Sequence, residues 1–136
     1  MGYYDKEKNI SVLVGKTIKT INEDGNHVSI TCTDGSAYEM YHMQDCCESV
    51  FINDIKGHLP NLVDKVILDA EENVSGDWPE DVPVPDYNES YTWTTYTLTS
   101  KNEVVVIRWL GTSNGYYSES VYFEETHTPI ELKEKL

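Results

Sequence analysis

Ten consecutive residues, 41–50, carry the densest set of groups able to do chemistry in this sequence. The set contains one imidazole, one amide, two thiols and two carboxylates: His42, Gln44, Asp45, Cys46, Cys47 and Glu48. A thiol close to an imidazole is the arrangement of a cysteine nucleophile with its base. Histidine, cysteine and carboxylate side chains are also the ligands that Zn²⁺ binds in proteins. Both chemistries therefore have to be weighed.

The spacing of these residues argues against both chemistries. A closed zinc site needs spaced pairs of ligands, whereas Cys46 and Cys47 are adjacent and would point to opposite faces of a strand. Asp45 and Glu48 flank the thiols, and negative neighbours disfavour the thiolate that acts as the nucleophile. We therefore predict no catalytic residue, no metal site and no cofactor. A metal-dependent enzyme remains the third alternative for the function.

Residues 108–118 form a second dense run of polar and aromatic groups. Arg108 is the only arginine in the sequence, and on a strand it shares a face with two aliphatic residues. A guanidinium that emerges from apolar surroundings needs a carboxylate or a ligand anion. We expect an internal pair with Asp45 or Glu48, which requires the two runs to lie side by side. The alternative is a ligand anion, with Asn114 and Tyr116 contributing polar contacts.

Aromatic residues are concentrated in the C-terminal half, where they either stack on a planar ligand or pack across hairpins. Together with the two polar runs they give the candidate ligand- or partner-binding residues. These are His42, Gln44, Asp45, Glu48, Trp93, Arg108, Trp109, Ser113, Asn114, Tyr116 and Tyr117.

The elements that must position these residues are mainly strands. Alternating patterns predict a three-stranded meander over 16–21, 27–32 and 36–43, with Asp34-Gly35 as a hairpin turn. Residues 50–52 end at Asn53-Asp54, a candidate helix cap. Residues 66–70 have the composition of another strand. Residues 71–89 hold prolines and carboxylates without apolar periodicity, which predicts an acidic loop.

The C-terminal half predicts strands over 90–100, 103–110 and 116–124. Lys101-Asn102 forms the first turn, and Asn114-Gly115 predicts a hairpin between the last two strands. Residues 131–136 have the composition of a short helix. The sequence thus predicts a single domain, residues 1–136, of the α+β class. It consists mostly of antiparallel sheet, with about seven strands and one or two short helices.

Charge limits the partners. Twenty-four acidic residues against ten basic ones give a formal net charge of −14. Phosphate backbones need a basic footprint, so we predict no direct nucleic-acid binding. An acidic surface steers toward a basic protein, although the charge is also explained by solubility alone. The expected partner-binding surface consists of Glu71, Glu72, Asp77, Glu80 and Asp81.

Other features of the sequence bear on the setting. No apolar run approaches the roughly 20 residues that a membrane helix needs, so we predict no membrane association. The N-terminus lacks the pattern of a secretory signal. Three cysteines, two of them adjacent, make a poor disulfide framework. These observations favour the cytosol, and they leave a homo-oligomer open.

Several short motifs resemble a family of small, uncharacterised phage and prophage proteins, over roughly Gly15 to Phe123. The departure from that pattern is at residues 58–62. The motifs are the run 42–48, then Asn53-Asp54-Ile55 with Gly57, Ala70-Glu71-Glu72, residues 89–94, and residues 108–118.

The resemblance implies a viral accessory protein that acts in the host cytoplasm. Two functions then fit. The first is a counter-defence inhibitor, similar to an anti-CRISPR protein, whose acidic surface occupies the basic nucleic-acid groove of a host protein. The second is a small-ligand-binding protein that sequesters a defence signalling nucleotide in a pocket containing Arg108.

Overall fold

Two four-stranded antiparallel sheets form the part of the chain that the computed structural model describes, residues 7–84 and 89–126. The first sheet has the order β1 (Ile18–Glu23), β2 (Val28–Cys32), β3 (Ala37–Tyr41) and β8 (Tyr122–Thr126). The second has the order β4 (Ser49–Lys56), β7 (Val104–Ser113), β6 (Ser90–Thr99) and β5 (Asp69–Ser75). Two 3-10 turns, Ile10–Leu13 and Leu59–Leu62, lie outside the sheets.

The predicted meander is confirmed, because β1, β2 and β3 pair in sequence order. Val28, Ile30 and Cys32 face inward together, as their alternation predicts. At the β2–β3 turn, Gly35 has a φ of 91°, a conformation that strongly favours glycine. The Asp34 carboxylate accepts hydrogen bonds from the backbone N–H and the hydroxyl of Ser36, which fixes this turn.

Side chains from both sheets form one buried cluster. The first sheet contributes aliphatic residues and Met40, and the second contributes Tyr96, Ile107 and Trp109. Trp109 is fully buried, and its indole Nε1 lies 3.3 Å from the Met40 sulfur. The predicted site residue Trp109 thus lies in the core, where it packs between the sheets and offers no exposed ring face.

The helical part of the prediction is wrong for the described residues, which contain no α-helix. Asn53-Asp54 caps nothing. It lies within β4, where the pairing register with β7 shifts between Ile52 and Asp54 and leaves Asn53 as an extra residue. This bulge accommodates a polar pair that would otherwise interrupt the strand. The described architecture is therefore mostly antiparallel β, and the α+β label fits it only roughly. Residues 131–136, the other predicted helix, lie outside the described residues.

Two further boundaries differ from the prediction. The strand placed at 66–70 is β5, which runs from Asp69 to Ser75, so the first part of the expected acidic loop is a strand. Because β5 is at the sheet edge, its carboxylates remain in solvent while its backbone pairs with β6. The Asn114-Gly115 hairpin is also wrong. The strands before and after it belong to different sheets, and the last strand begins at Tyr122.

No helix in the described ranges is long and apolar enough to cross a bilayer.

Replacing Trp109 with alanine is expected to destabilise the protein by about 3–5 kcal/mol, since it empties the largest site in the core. The matched control is Tyr116→Ala. Tyr116 is 88% exposed, so its loss should change the free energy of unfolding by no more than about 0.5 kcal/mol. Urea denaturation of the two variants checks this. Equal losses of unfolding free energy in the two variants would contradict the placement of Trp109 in the core and Tyr116 at the surface.

Candidate functional site

The first polar run forms the connection between the two sheets. His42 directly follows β3, and Glu48 directly precedes β4. The two side chains are 3% and 0% exposed, and His42 Nε2 lies 2.7 Å from a Glu48 carboxylate oxygen. The other ring nitrogen, Nδ1, lies 2.7 Å from the backbone oxygen of Ser120, just before β8. Both ring nitrogens thus lie within hydrogen-bond distance of an oxygen, one from a carboxylate and one from the backbone.

The turn between them is organised around the Glu48 carboxylate. One oxygen accepts the backbone N–H of Asp45 at 2.8 Å, and the other accepts that of Cys46 at 2.9 Å. The Gln44 amide donates to the backbone oxygen of Glu48 at 2.7 Å. The hydrogen bond from Cys46, followed by that from His42, lowers the pKa of Glu48 to about 2. We call residues 42–48 together with Ser120 the junction cluster.

The two adjacent cysteines lie at the exposed tip of this turn and are disulfide-bonded to each other. The sequence analysis did not anticipate this bond. Cys32, by contrast, is a buried free thiol, and its burial raises its pKa. None of the three cysteines belongs to a group of metal-ligand side chains within residues 7–84 and 89–126.

A second carboxylate, Glu119, was missed by the sequence analysis. It is 9% exposed and accepts hydrogen bonds from Thr92 Oγ1 at 2.8 Å and Ser113 Oγ at 2.5 Å. The Ser113 hydroxyl also accepts the backbone N–H of Gly115 at 2.9 Å. Ser113 therefore fixes the crossing between the sheets and is not a free ligand group. The Gly-x-Ser spacing at 111–113 was the signal available in the sequence, because both residues contact Glu119.

Arg108 was predicted to pair with Asp45 or Glu48, and this is wrong. Its Nη1 and Nη2 bind the two carboxylate oxygens of Asp81 at 3.1 and 3.0 Å. Its Nε and Nη2 donate to Asn53 Oδ1 at 3.0 and 2.9 Å. Glu48 is instead hydrogen-bonded to His42. The two runs do lie side by side as expected, since β4 pairs with β7 through Ser49 and Thr112.

An aromatic ring packs against the guanidinium on the outer face of the second sheet, and further rings pack on one another beside it. The Arg108 carbon Cζ lies 5.2 Å from the centre of the Trp93 ring. Trp78 meets Trp93 and Tyr91 edge-on, with ring centres 5.1 and 4.8 Å apart. We call Arg108, Asn53, Asp81, Trp93 and Trp78 the arginine cluster. Asn53 and Trp78 were missed; the signals available in the sequence were a polar Asn53-Asp54 pair after an apolar run and an isolated tryptophan among acids.

The predicted site residues thus separate into different places. His42, Gln44, Asp45 and Glu48 belong to the junction cluster, and Trp93 and Arg108 to the arginine cluster. Asn114 closes a turn by accepting the backbone N–H of Tyr116 at 3.0 Å. Tyr116 is exposed, and Tyr117 is half-buried. The buried carboxylates are occupied by donors of the protein, so their chemistry holds the fold together.

Acid should weaken the fold through Glu48. Its folded pKa of about 2 lies below the ordinary value of 4.5, so its contribution to stability is present above about pH 4.5. That contribution is lost as the pH falls toward 2. Glu48→Gln should lower the stability at pH 7 and flatten its decline between pH 5 and pH 2. The control is Glu71→Gln on the exposed β5. Urea denaturation across this range tests it, and an unchanged pH slope in Glu48→Gln would refute the assignment.

Gly111→Ala should destabilise the protein, because the added Cβ would lie 2.4 Å from the backbone oxygen of Glu119. The crossing must then move away from β7, at a cost of about 1–3 kcal/mol. Gly76→Ala is the matched control, since its Cβ meets no atom within 4 Å. Thermal melts of both variants give the comparison. Equal melting temperatures would show that the crossing is not closely packed on β7.

Comparison with known proteins gives one result for this chain. The family model of a domain of unknown function, DUF7448, matches residues 11–123. No curated protein and no solved structure matches the chain. The matched residues include both polar runs, the glycine that packs on Glu119, and all of the strands except part of β8. The chain therefore belongs to the DUF7448 family.

Proposed function

We propose that this protein is a binding protein whose acidic edge strand engages a basic face of another protein. The carrying observation is the charge of residues 69–84, which include β5 and contain no lysine or arginine. Their carboxylates are all exposed: Asp69, Glu71, Glu72, Asp77, Glu80 and Asp81. Exposed charges of one sign on a sheet edge attract a partner of opposite charge and accelerate its association.

The sheet edge also has a concave surface beside these charges. A shallow cavity of about 450 Å³ lies beside β5, and it is lined by Glu71, Glu72, Asn73, Thr95 and Thr97, with Ala70 and Asn9. The lining offers carboxylate, amide and hydroxyl oxygens, which are acceptors for the ammonium or guanidinium of a lysine or arginine side chain. Within the described residues no further strand pairs with β5 on its outer side, although the 3-10 turn Ile10–Leu13 packs against this strand.

Two of the predicted surface residues have internal partners. Asp81 binds Arg108, and Glu72 accepts the hydroxyl of the buried Tyr96 at 2.9 Å. Their charges still contribute to the field of the surface, but their side chains are held in place. Glu71, Asp77 and Glu80 are therefore the residues whose side chains we expect to contact the partner directly.

The specific form that we propose is a counter-defence inhibitor, similar in action to an anti-CRISPR protein, that works in the host cytoplasm. Its supports are the resemblance of the sequence motifs to phage proteins and the density of negative charge. A surface of this kind resembles the phosphate backbone electrostatically and would compete for the basic groove of a nucleic-acid-binding protein. Sequestration of a signalling nucleotide is less favoured, because the net charge of −14 repels phosphates at long range and the sequence contains only one arginine to compensate.

The test is capture of partners from a lysate of cells in which the protein acts, with the wild type and two charge variants. The β5 variant, Glu71→Lys/Asp77→Lys, reverses two exposed charges that have no such internal side-chain partner, one on β5 and one just after it. Glu23→Lys/Asp24→Lys reverses two exposed charges at the β1–β2 turn and changes the net charge equally. We expect the wild type and the turn variant to retain a nucleic-acid-binding protein that the β5 variant loses.

The captured protein is then purified and titrated at about 50 and about 500 mM salt, where the Debye length differs about threefold. Affinity should fall steeply with salt, and added nucleic acid should displace the protein. If both charge variants lose the captured protein equally, binding depends on the net charge and not on the β5 surface. Affinity that does not change with salt would refute electrostatic recognition.

A further inference from the structure

We propose that residues 76–84, which we call the strap, cover a carboxylate-binding site on the outer face of the second sheet. In this view Asp81 occupies the site from within the chain. The external ligand is a group with a carboxylate next to an aromatic ring, which displaces Asp81 and Trp78 together. The strap shares Asp77, Glu80 and Asp81 with the acidic surface described above, but the site that it covers is centred on Arg108 and lies on the outer face of the sheet.

The receptor side of the site is built from the sheet. Arg108 on β7 stands opposite Thr95 on β6 and Asp54 on β4, so the three side chains lie on the same face. The Arg108 side chain is 15% exposed and is held from below by Asn53 and by the Trp93 ring. A guanidinium fixed in this way offers its two outer N–H groups to a carboxylate in a set orientation.

The strap is bound lightly by comparison. The Asp81 side chain is 55% exposed, and Val84 is 74% exposed. Within residues 78–84, the hydrogen bonds to the sheet are those that Arg108 donates, while the Trp78 indole donates to the strap's own Val82 oxygen at 2.9 Å. Such a segment opens at low free-energy cost compared with a strand.

Two features, one at Trp93 and one beside Arg108, point to a ligand. The Nε1–H of Trp93 is buried and has no acceptor among the described residues, although a buried donor without a partner costs free energy. A cavity of about 150 Å³ also adjoins Arg108, lined by Asp54, Lys56, Thr95 and Val106. That volume is the share of about five water molecules, enough for one carboxylate and its solvent.

The charge balance favours an incoming anion. The cavity lining and Asp81 together contain two cations, Arg108 and Lys56, and two carboxylates, Asp54 and Asp81. When Asp81 leaves, two cations face the single carboxylate of Asp54, and a new carboxylate restores neutrality. The strap also lowers the apparent affinity of the site for an external ligand, because Asp81 competes for Arg108. A tethered group acts at an effective concentration of roughly millimolar, so an external ligand must exceed that level while the strap remains intact.

The experiment uses a strap variant, Trp78→Ala/Asp81→Ala, and follows binding by amide NMR titration at about 150 mM salt, where long-range repulsion is screened. Indole-3-acetate is the small-molecule probe, because it carries an indole and a carboxylate. Indole-3-acetamide is its uncharged match. A peptide with the sequence of residues 76–84, and the same peptide with Asp81→Asn, represent a ligand supplied by a protein segment.

We expect the carboxylate form of at least one probe to bind the strap variant at least about tenfold more tightly than its amide form, a difference of about 1.4 kcal/mol. Shifts should map to Arg108, Lys56 and Trp93, and wild type should bind more weakly. Binding of the small acid assigns a small-molecule ligand, and binding of the peptide alone assigns a protein segment. Equal binding of acid and amide, or no binding of any probe, would overturn the proposal. Equal affinities of wild type and strap variant would also overturn it.

Discussion

The Glu48 carboxylate is the group on which the joining of the two sheets depends. It lies at the point where the chain leaves the first sheet for the second, and its side chain is fully buried. A carboxylate in such a place is tolerated only when donors surround it. His42 and the backbone N–H groups of Asp45 and Cys46 supply them. Because His42 also binds the oxygen of Ser120, the same carboxylate positions the chain that enters β8.

This requirement explains why polar residues are so concentrated in the two runs. A dense set of imidazole, amide and carboxylate groups in a sequence resembles an active site, but here the groups satisfy one another. Glu119 with Thr92 and Ser113 repeats the arrangement at the second crossing. On the outer face the partly buried charge is a cation: the Arg108 guanidinium is satisfied by acceptor oxygens of Asp81. Exposed carboxylates, by contrast, follow one another on β5, an edge strand whose sequence pattern looked irregular.

The strands with alternating side chains could be predicted from the sequence, and the meander, β6 and most of β7 follow it closely. Each has apolar residues on one face and a turn residue such as Gly35 at its end. Elements fixed by distant partners could not be predicted in this way. β5 lacks alternation because only Ala70 of its seven residues is buried. The carboxylate that pairs with Arg108 belongs to the strap, 27 residues earlier in the chain, and no local sequence pattern predicts a contact over that distance. The Asn-Gly dipeptide predicts a hairpin from local geometry alone, whereas tertiary pairing sends the following strand to the other sheet.

The pairing of β3 with β8 has a consequence for how the chain acquires its structure. The four strands of the second sheet come from one continuous stretch, Ser49 to Ser113, whereas Ala37 in β3 pairs with Thr126. During synthesis, the inner stretch can therefore assemble while one edge of β3 still has no neighbour. That edge includes the apolar Tyr38 and Met40, and Tyr38 later stacks on Phe123 with ring centres 5.3 Å apart. Pairings between residues so far apart in sequence form slowly, and an open apolar edge favours aggregation in the interval. The segment that bears β8 thus acts late, as the strand that closes the first sheet.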